Sequence, residues 1–199
     1  MPSSWPAIVQ FLESYMPLIH TTVVRWKCPK RDSYKCNSNG GLESKAFCIR
    51  DGHGDLVYAK AWKIDDYSTL EAEVKGFKRG LLYCLSHNLI PLIMETDSLI
   101  IKKILDGIWE VPWAISVDIR EIREAMENKD VTVLHTFREG NKLADYLTNM
   151  IVNFAGTNSI HFNHNNELPT QAKSILQLDK QGTPNIRIKK GKNKLCRSL

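Results

Sequence analysis

The chain has 199 residues, 43% of them hydrophobic and 25% charged, with a net charge of +5. That is an ordinary globular composition, sized for one domain with flanking segments. No apolar run reaches the roughly 18 residues a membrane helix needs, so no membrane partner is expected.

Residues 1–20 are apolar in patches but broken by Pro6, Glu13 and Pro17. They lack a basic stretch followed by a continuous apolar run, so a secretory signal is not expected. Cys28, Cys36, Cys48, Cys84 and Cys196 are odd in number, and no two are spaced CxxC. Reduced thiols in a nuclear or cytoplasmic, non-secreted protein fit this better than disulfides or a zinc site. His161 and His164 have no second ligand pair nearby and read as a solvated loop.

In chain order, residues 5–20 are expected to form a short amphipathic helix with Ile8, Phe11, Leu12 and Tyr15 on one face. Residues 26–31, with Pro29 and several charges, read as a linker. Strand-like runs follow at 34–38, 45–50 and 56–62. The turn Asp51-Gly52-His53-Gly54 separates the last two and signals a hairpin. Ser68 or Thr69 can cap a helix carrying Leu70, Val74, Phe77, Leu81 and Leu85 at spacings of three and four. Leu92, Ile93 and Met94 after Pro91 have the wholly apolar character of a buried strand. Asp97 or Ser98 caps the next helix, which runs to Leu105.

Past the breakers at 107–112, Ile115, Ile119, Ile122 and Met126 again have helical spacing. Trp109 and Trp113 flank Pro112 and are expected as core residues under a loop. Val131, Val133 and His135 alternate as a strand, and Leu143, Leu147 and Ile151 mark a last helix. Arg187, Lys189, Lys190, Lys192, Lys194 and Arg197 crowd the C-terminus, where such a run reads as a solvated tail. The order β-β-β-α-β-α-α-β-α implies a mixed sheet covered by helices. Its sites are expected near the C-terminal ends of the strands.

Several segments carry a specific resemblance: Trp26-Lys27-Cys28-Pro29, the run Lys35 to Gly40 reading KCNSNG, Ile49-Arg50-Asp51, Glu71-Ala72-Glu73, Arg79-Gly80-Leu81, Glu95-Thr96-Asp97-Ser98, and the run His135 to Asp145 reading HTFREGNKLAD. In this order and with these gaps, the chain resembles the plant ribonuclease H-like domain derived from the reverse transcriptase polyprotein of non-long-terminal-repeat retrotransposons. The resemblance implies an α/β fold, a mixed five-stranded sheet with helices on both faces. It sets residues 1–25 as an N-terminal helix and linker, 26–155 as the domain, and 156–199 as an irregular basic tail.

The implied activity is hydrolysis of the RNA strand of an RNA–DNA hybrid by two Mg2+ ions about 4 Å apart. Mn2+ is a possible substitute. Hard cations want oxygen ligands, and the resemblance assigns these to Glu73, Asp97 and Asp145. The remaining position, from the first strand, falls on Asn39 where the family has aspartate. An amide brings no charge, so catalysis is expected to be impaired or lost. The turn between the first two strands is also shorter than the family's. His135 matches a family histidine. Gly40, Ser98, Arg138 and Asn141 are expected contacts to nucleic acid, preferentially a hybrid, bound by a monomer. A weakly active hybrid ribonuclease and a non-enzymatic binding module are the alternatives. Asn39-Gly40 is also a pair prone to deamidation, one route back to a carboxylate.

Overall fold

The computed structural model describes residues 4–14, 19–64 and 68–190, and side chains within these except at 11–14 and 190. The side chains of Phe11, Leu12, Tyr15 and Lys190, and the whole of Lys192, Lys194, Cys196 and Arg197, lie outside the described residues. The chain divides into a larger unit, residues 25–183, and a smaller one made of residues 1–24 and 184–199.

The smaller unit holds helix α1 (Trp5–Ser14) and an antiparallel strand pair, β1 (Ile19–Val24) with β8 (Asn185–Lys190). Helix therefore stops before Ile19, against the expectation that it runs to His20: residues 19–24 are rich in β-branched side chains, which favour strands.

The larger unit contains the expected series in the expected order: β2 (Tyr34–Gly40), β3 (Ser44–Arg50), β4 (Leu56–Lys63), α2 (Thr69–Ser86), β5 (Leu92–Thr96), α3 (Leu99–Leu105), α4 (Ser116–Met126), β6 (Val131–His135) and α5 (Lys142–Val152). β2, β3 and β4 form an antiparallel meander, while β5 and β6 add in parallel beyond β2. The β3–β4 turn is closed by Asp51, whose Oδ1 accepts from the backbone N–H groups of His53 and Asp55, each at 2.9 Å.

Residues 156–190 are not an irregular tail, and Arg187 and Lys189, expected in a solvated run, lie in β8. β7 (Ser159–Phe162) pairs antiparallel with β4 and makes the mixed sheet six-stranded, in the order β6-β5-β2-β3-β4-β7, and α6 (Thr170–Lys180) follows. Phe162, Leu168, Ala172 and Leu176 are the apolar signal in that stretch, spaced too sparsely to stand out beside its many Asn and His residues; all four are buried.

The alternation of β3 explains the layers. Phe47 and Ile49 face a core shared with α2, α3 and α4 through Phe77, Leu81, Ile101, Ile104, Ile119 and Ile122. Ala46 and Cys48 face the other way, against Leu143, Leu147 and Ile151 of α5 and Leu176 of α6. All seven β3 positions are buried, as expected of a central strand covered on both faces.

Two readings change at the edges. Trp26 is no linker residue but 3% exposed. Trp109 and Trp113 are 47% and 90% exposed, not core. The chain turns away after α3 at Gly107, with φ +72°, and Ile115 takes the buried place at the start of α4. No helix among the described residues is long and apolar enough to cross a membrane.

Candidate active site

Strands β2 and β5 run parallel with Ser38 beside Thr96, so their next residues, Asn39 and Asp97, emerge side by side at the same end of the sheet. Helix α2 starts at a Ser68 cap, whose Oγ accepts from the Glu71 N–H at 3.2 Å. The helix then crosses the end of β2 at close range. A Cβ on Gly40 would lie 2.6 Å from the backbone nitrogen of Glu73, so only glycine lets the two elements meet there. This contact brings Glu73 to the site. Helix α5 delivers Asp145 from its first turn.

The three carboxylates and Asn39 thus converge from four elements. Burial pushes the Glu73 carboxyl above its ordinary range, and neighbouring Asp97 adds to the rise; a hydrogen bond with the Ser98 side chain works against it. Burial also raises Asp97, as does the charge of Asp145, while its own backbone N–H, Arg138 and Asn141 oppose the shift.

Asp145 is the most heavily partnered. Its Oδ1 accepts from Asn39 Nδ2 at 3.2 Å, Arg138 Nε at 3.0 Å and Arg138 Nη2 at 2.6 Å. Its Oδ2 accepts from Asn149 Nδ2 at 3.4 Å. Asn39 therefore changes the sign of its position: where a carboxylate would offer another acceptor, the amide turns a donor toward Asp145.

This donor set does not fit a pair of divalent ions as it stands. Cations need unencumbered oxygens, and one oxygen of Asp145 already carries three N–H groups. Among the described residues, no group of three or more acidic, histidine or cysteine side chains is gathered tightly enough to hold a metal ion.

The expected nucleic-acid contacts divide sharply by exposure. Arg138, on a short 3-10 turn before α5, has a side chain 67% exposed. Ser98 and Gly40 are buried. Asn141 is 0% exposed and acts as an internal tie: its Nδ2 donates to the Ser38 carbonyl at 2.9 Å and to Asp97 Oδ1 at 3.4 Å. His135 ends β6 beside Thr96, with its ring edge-on to Phe137 at 5.5 Å. It stands at the same end of the sheet as Asp97, one strand beyond it.

Sequence reasoning missed Asn149, one turn after Asp145 on α5. It also missed a buried polar cluster away from the site. There Arg50, 0% exposed, donates to Asp179 Oδ2 at 2.7 Å and Asn37 Oδ1 at 2.8 Å, and lies 3.6 Å from the Trp26 ring centroid. Lys35 pairs with Glu95 at 2.6 Å, and Asn37 donates to the same carboxylate at 2.9 Å. Nothing in the spacing of these residues ties them to one another.

A reverse transcriptase-like family model matches residues 32–151. Among solved structures, RNase H1 from the halophilic archaeon Halobacterium salinarum is similar, at 20% identity and a TM-score of 0.54 over 60% of this chain and 96% of that one. LC11-RNase H1, solved in complex with an RNA/DNA hybrid, is 18% identical with a TM-score of 0.55, covering 59% of this chain and 95% of that one. The N-terminal RNase H domain of a Mycobacterium tuberculosis protein gives 16% identity and a TM-score of 0.56 over 59% and 91%. No curated protein matches the chain. At these identities the solved structures speak for the fold alone.

Proposed function

Because the chain belongs to the reverse transcriptase-like family and carries a ribonuclease H-like fold, we propose that it is a nucleic-acid-binding protein of ribonuclease H type whose hydrolytic step is lost or severely reduced. Its partner on this reading is an RNA–DNA hybrid, recognised by backbone shape, phosphates and the 2′-hydroxyl. The hybrid bound to LC11-RNase H1 supports that choice. The segments quoted above further support descent from a plant retroelement. Unpaired thiols at Cys28, Cys36, Cys48 and Cys84 support a nuclear or cytoplasmic location, and we read the protein as a monomer.

The observation that carries the loss of hydrolysis is the Asn39 amide donating to Asp145. Metal-assisted phosphodiester hydrolysis draws several kcal/mol from the bound ions. Losing about 2.7 kcal/mol of that costs about a hundredfold in rate. The test is hybrid cleavage by the natural protein beside Asn39→Asp, in Mg2+ and in Mn2+. The variant is expected to be faster by about a hundredfold or more. Equal rates would overturn the proposal in favour of a working ribonuclease. Binding to hybrid should weaken steeply with added salt, because phosphate contacts release counterions.

A further inference from the structure

The donor pattern around Asp145 points to more than a damaged site. Resting on the hybrid-binding reading above, we infer that the Arg138 cation and the neutral Asn39 donor together occupy Asp145 in place of divalent cations, so that the site takes the nucleic-acid backbone without metal.

Three N–H groups converge on one carboxylate oxygen, two from Arg138 and one from Asn39. A cation approaching Asp145 Oδ1 must displace them. Arg138 is not used up by this. A guanidinium has five N–H donors, of which two point at Asp145, and the side chain is 67% exposed. Its free edge suits a phosphate oxygen, for which the planar fork is well shaped. The neighbouring carboxylates Glu73 and Asp97 repel phosphate when ionised. A bound phosphodiester therefore sits on Arg138 at the rim and not between the carboxylates. Binding and hydrolysis separate in space: the residue that attracts the strand also holds it away from the hydrolytic position.

An ordinary surface ion pair would look similar at Arg138 alone. The distinguishing feature is Asn39, which adds a neutral donor to the same oxygen from β2.

Two measurements on the full chain test the inference. The first is titration with Mn2+ followed by water-proton relaxation, which needs no nucleic acid. Arg138→Gln is expected to lower the half-saturating Mn2+ concentration by about two- to fivefold, the scale of an exposed ion pair. Asn39→Asp is expected to lower it further, and the double variant the most, since affinity for hard cations rises with ligand charge. The second is hybrid binding by fluorescence anisotropy with EDTA or with Mg2+. The natural protein should bind at least as tightly in EDTA as in Mg2+. Arg138→Gln should bind several-fold more weakly in EDTA, with an unchanged melting temperature showing that it remains folded. Arg138→Lys should recover part of that loss.

Mn2+ half-saturating the natural protein and Arg138→Gln at the same concentration would overturn the inference. So would loss of natural hybrid binding in EDTA. If no hybrid binds under any condition, the nucleic-acid reading fails, and the Mn2+ titration still decides whether Arg138 and Asn39 stand in for metal.

Discussion

Asn39 is held in a strand, and that restrains its chemistry. Deamidation needs the Gly40 backbone nitrogen to swing onto the Asn39 side-chain carbonyl. Asn39 and Gly40 are paired with Ala46 and Lys45 of β3, and Gly40 is wedged against α2. Peptide mass spectrometry of aged folded protein is expected to find the amide intact, and deamidation to appear only after unfolding. Glu73 offers a second prediction. Its folded-state pKa is raised, chiefly by burial, so ionised Glu73 disfavours the fold at neutral pH. That penalty is present above the folded pKa and fades as pH falls through it toward the ordinary carboxylate range. Glu73→Gln should therefore raise the melting temperature at pH 7, with the gain shrinking toward pH 4; a gain that grows on acidification would contradict the assignment. The positions of Glu73, Asp97 and Asp145 were legible because each sits in a short motif. What the motifs do not encode is direction. That Asn39 donates to Asp145, and that Arg138 joins it, depends on side-chain orientation across elements distant in sequence.

Between elements, the apolar periodicities of α2, α4 and α5 and the buried character of β5 were enough to read the order of the central fold. The polar cluster around Arg50 was not, because it joins residues from β2, β3, β5, α6 and the segment before β2. It acts as a brace. Asp179 on α6 neutralises a fully buried guanidinium, and Trp26 covers it. Removing one partner of a buried pair leaves a charge without compensation, at about 3–5 kcal/mol. Asp179→Ala is expected to destabilise by about that amount in urea unfolding. A change below about 1 kcal/mol would mean that Arg50 finds water instead. Trp26→Ala should cost a similar amount by emptying a large buried volume.

For the molecule as a whole, the boundary expected at residue 155 falls inside the larger unit. The family model ends at residue 151, yet Phe162, Leu168, Leu176 and Asp179 complete the face of the sheet on which α5 lies. A fragment of residues 26–155 should lose cooperative unfolding, whereas residues 25–183 should retain it; calorimetry of the two checks this. The short strand β7 carries a further consequence. Without it, the eight residues of β4 would present an open row of N–H and C=O groups, a template on which another chain could zip. With it, β4 becomes interior and that margin of the sheet shrinks to four residues. β7 is in this sense a guard against fibrous self-association, and the short fragment should not merely unfold but precipitate.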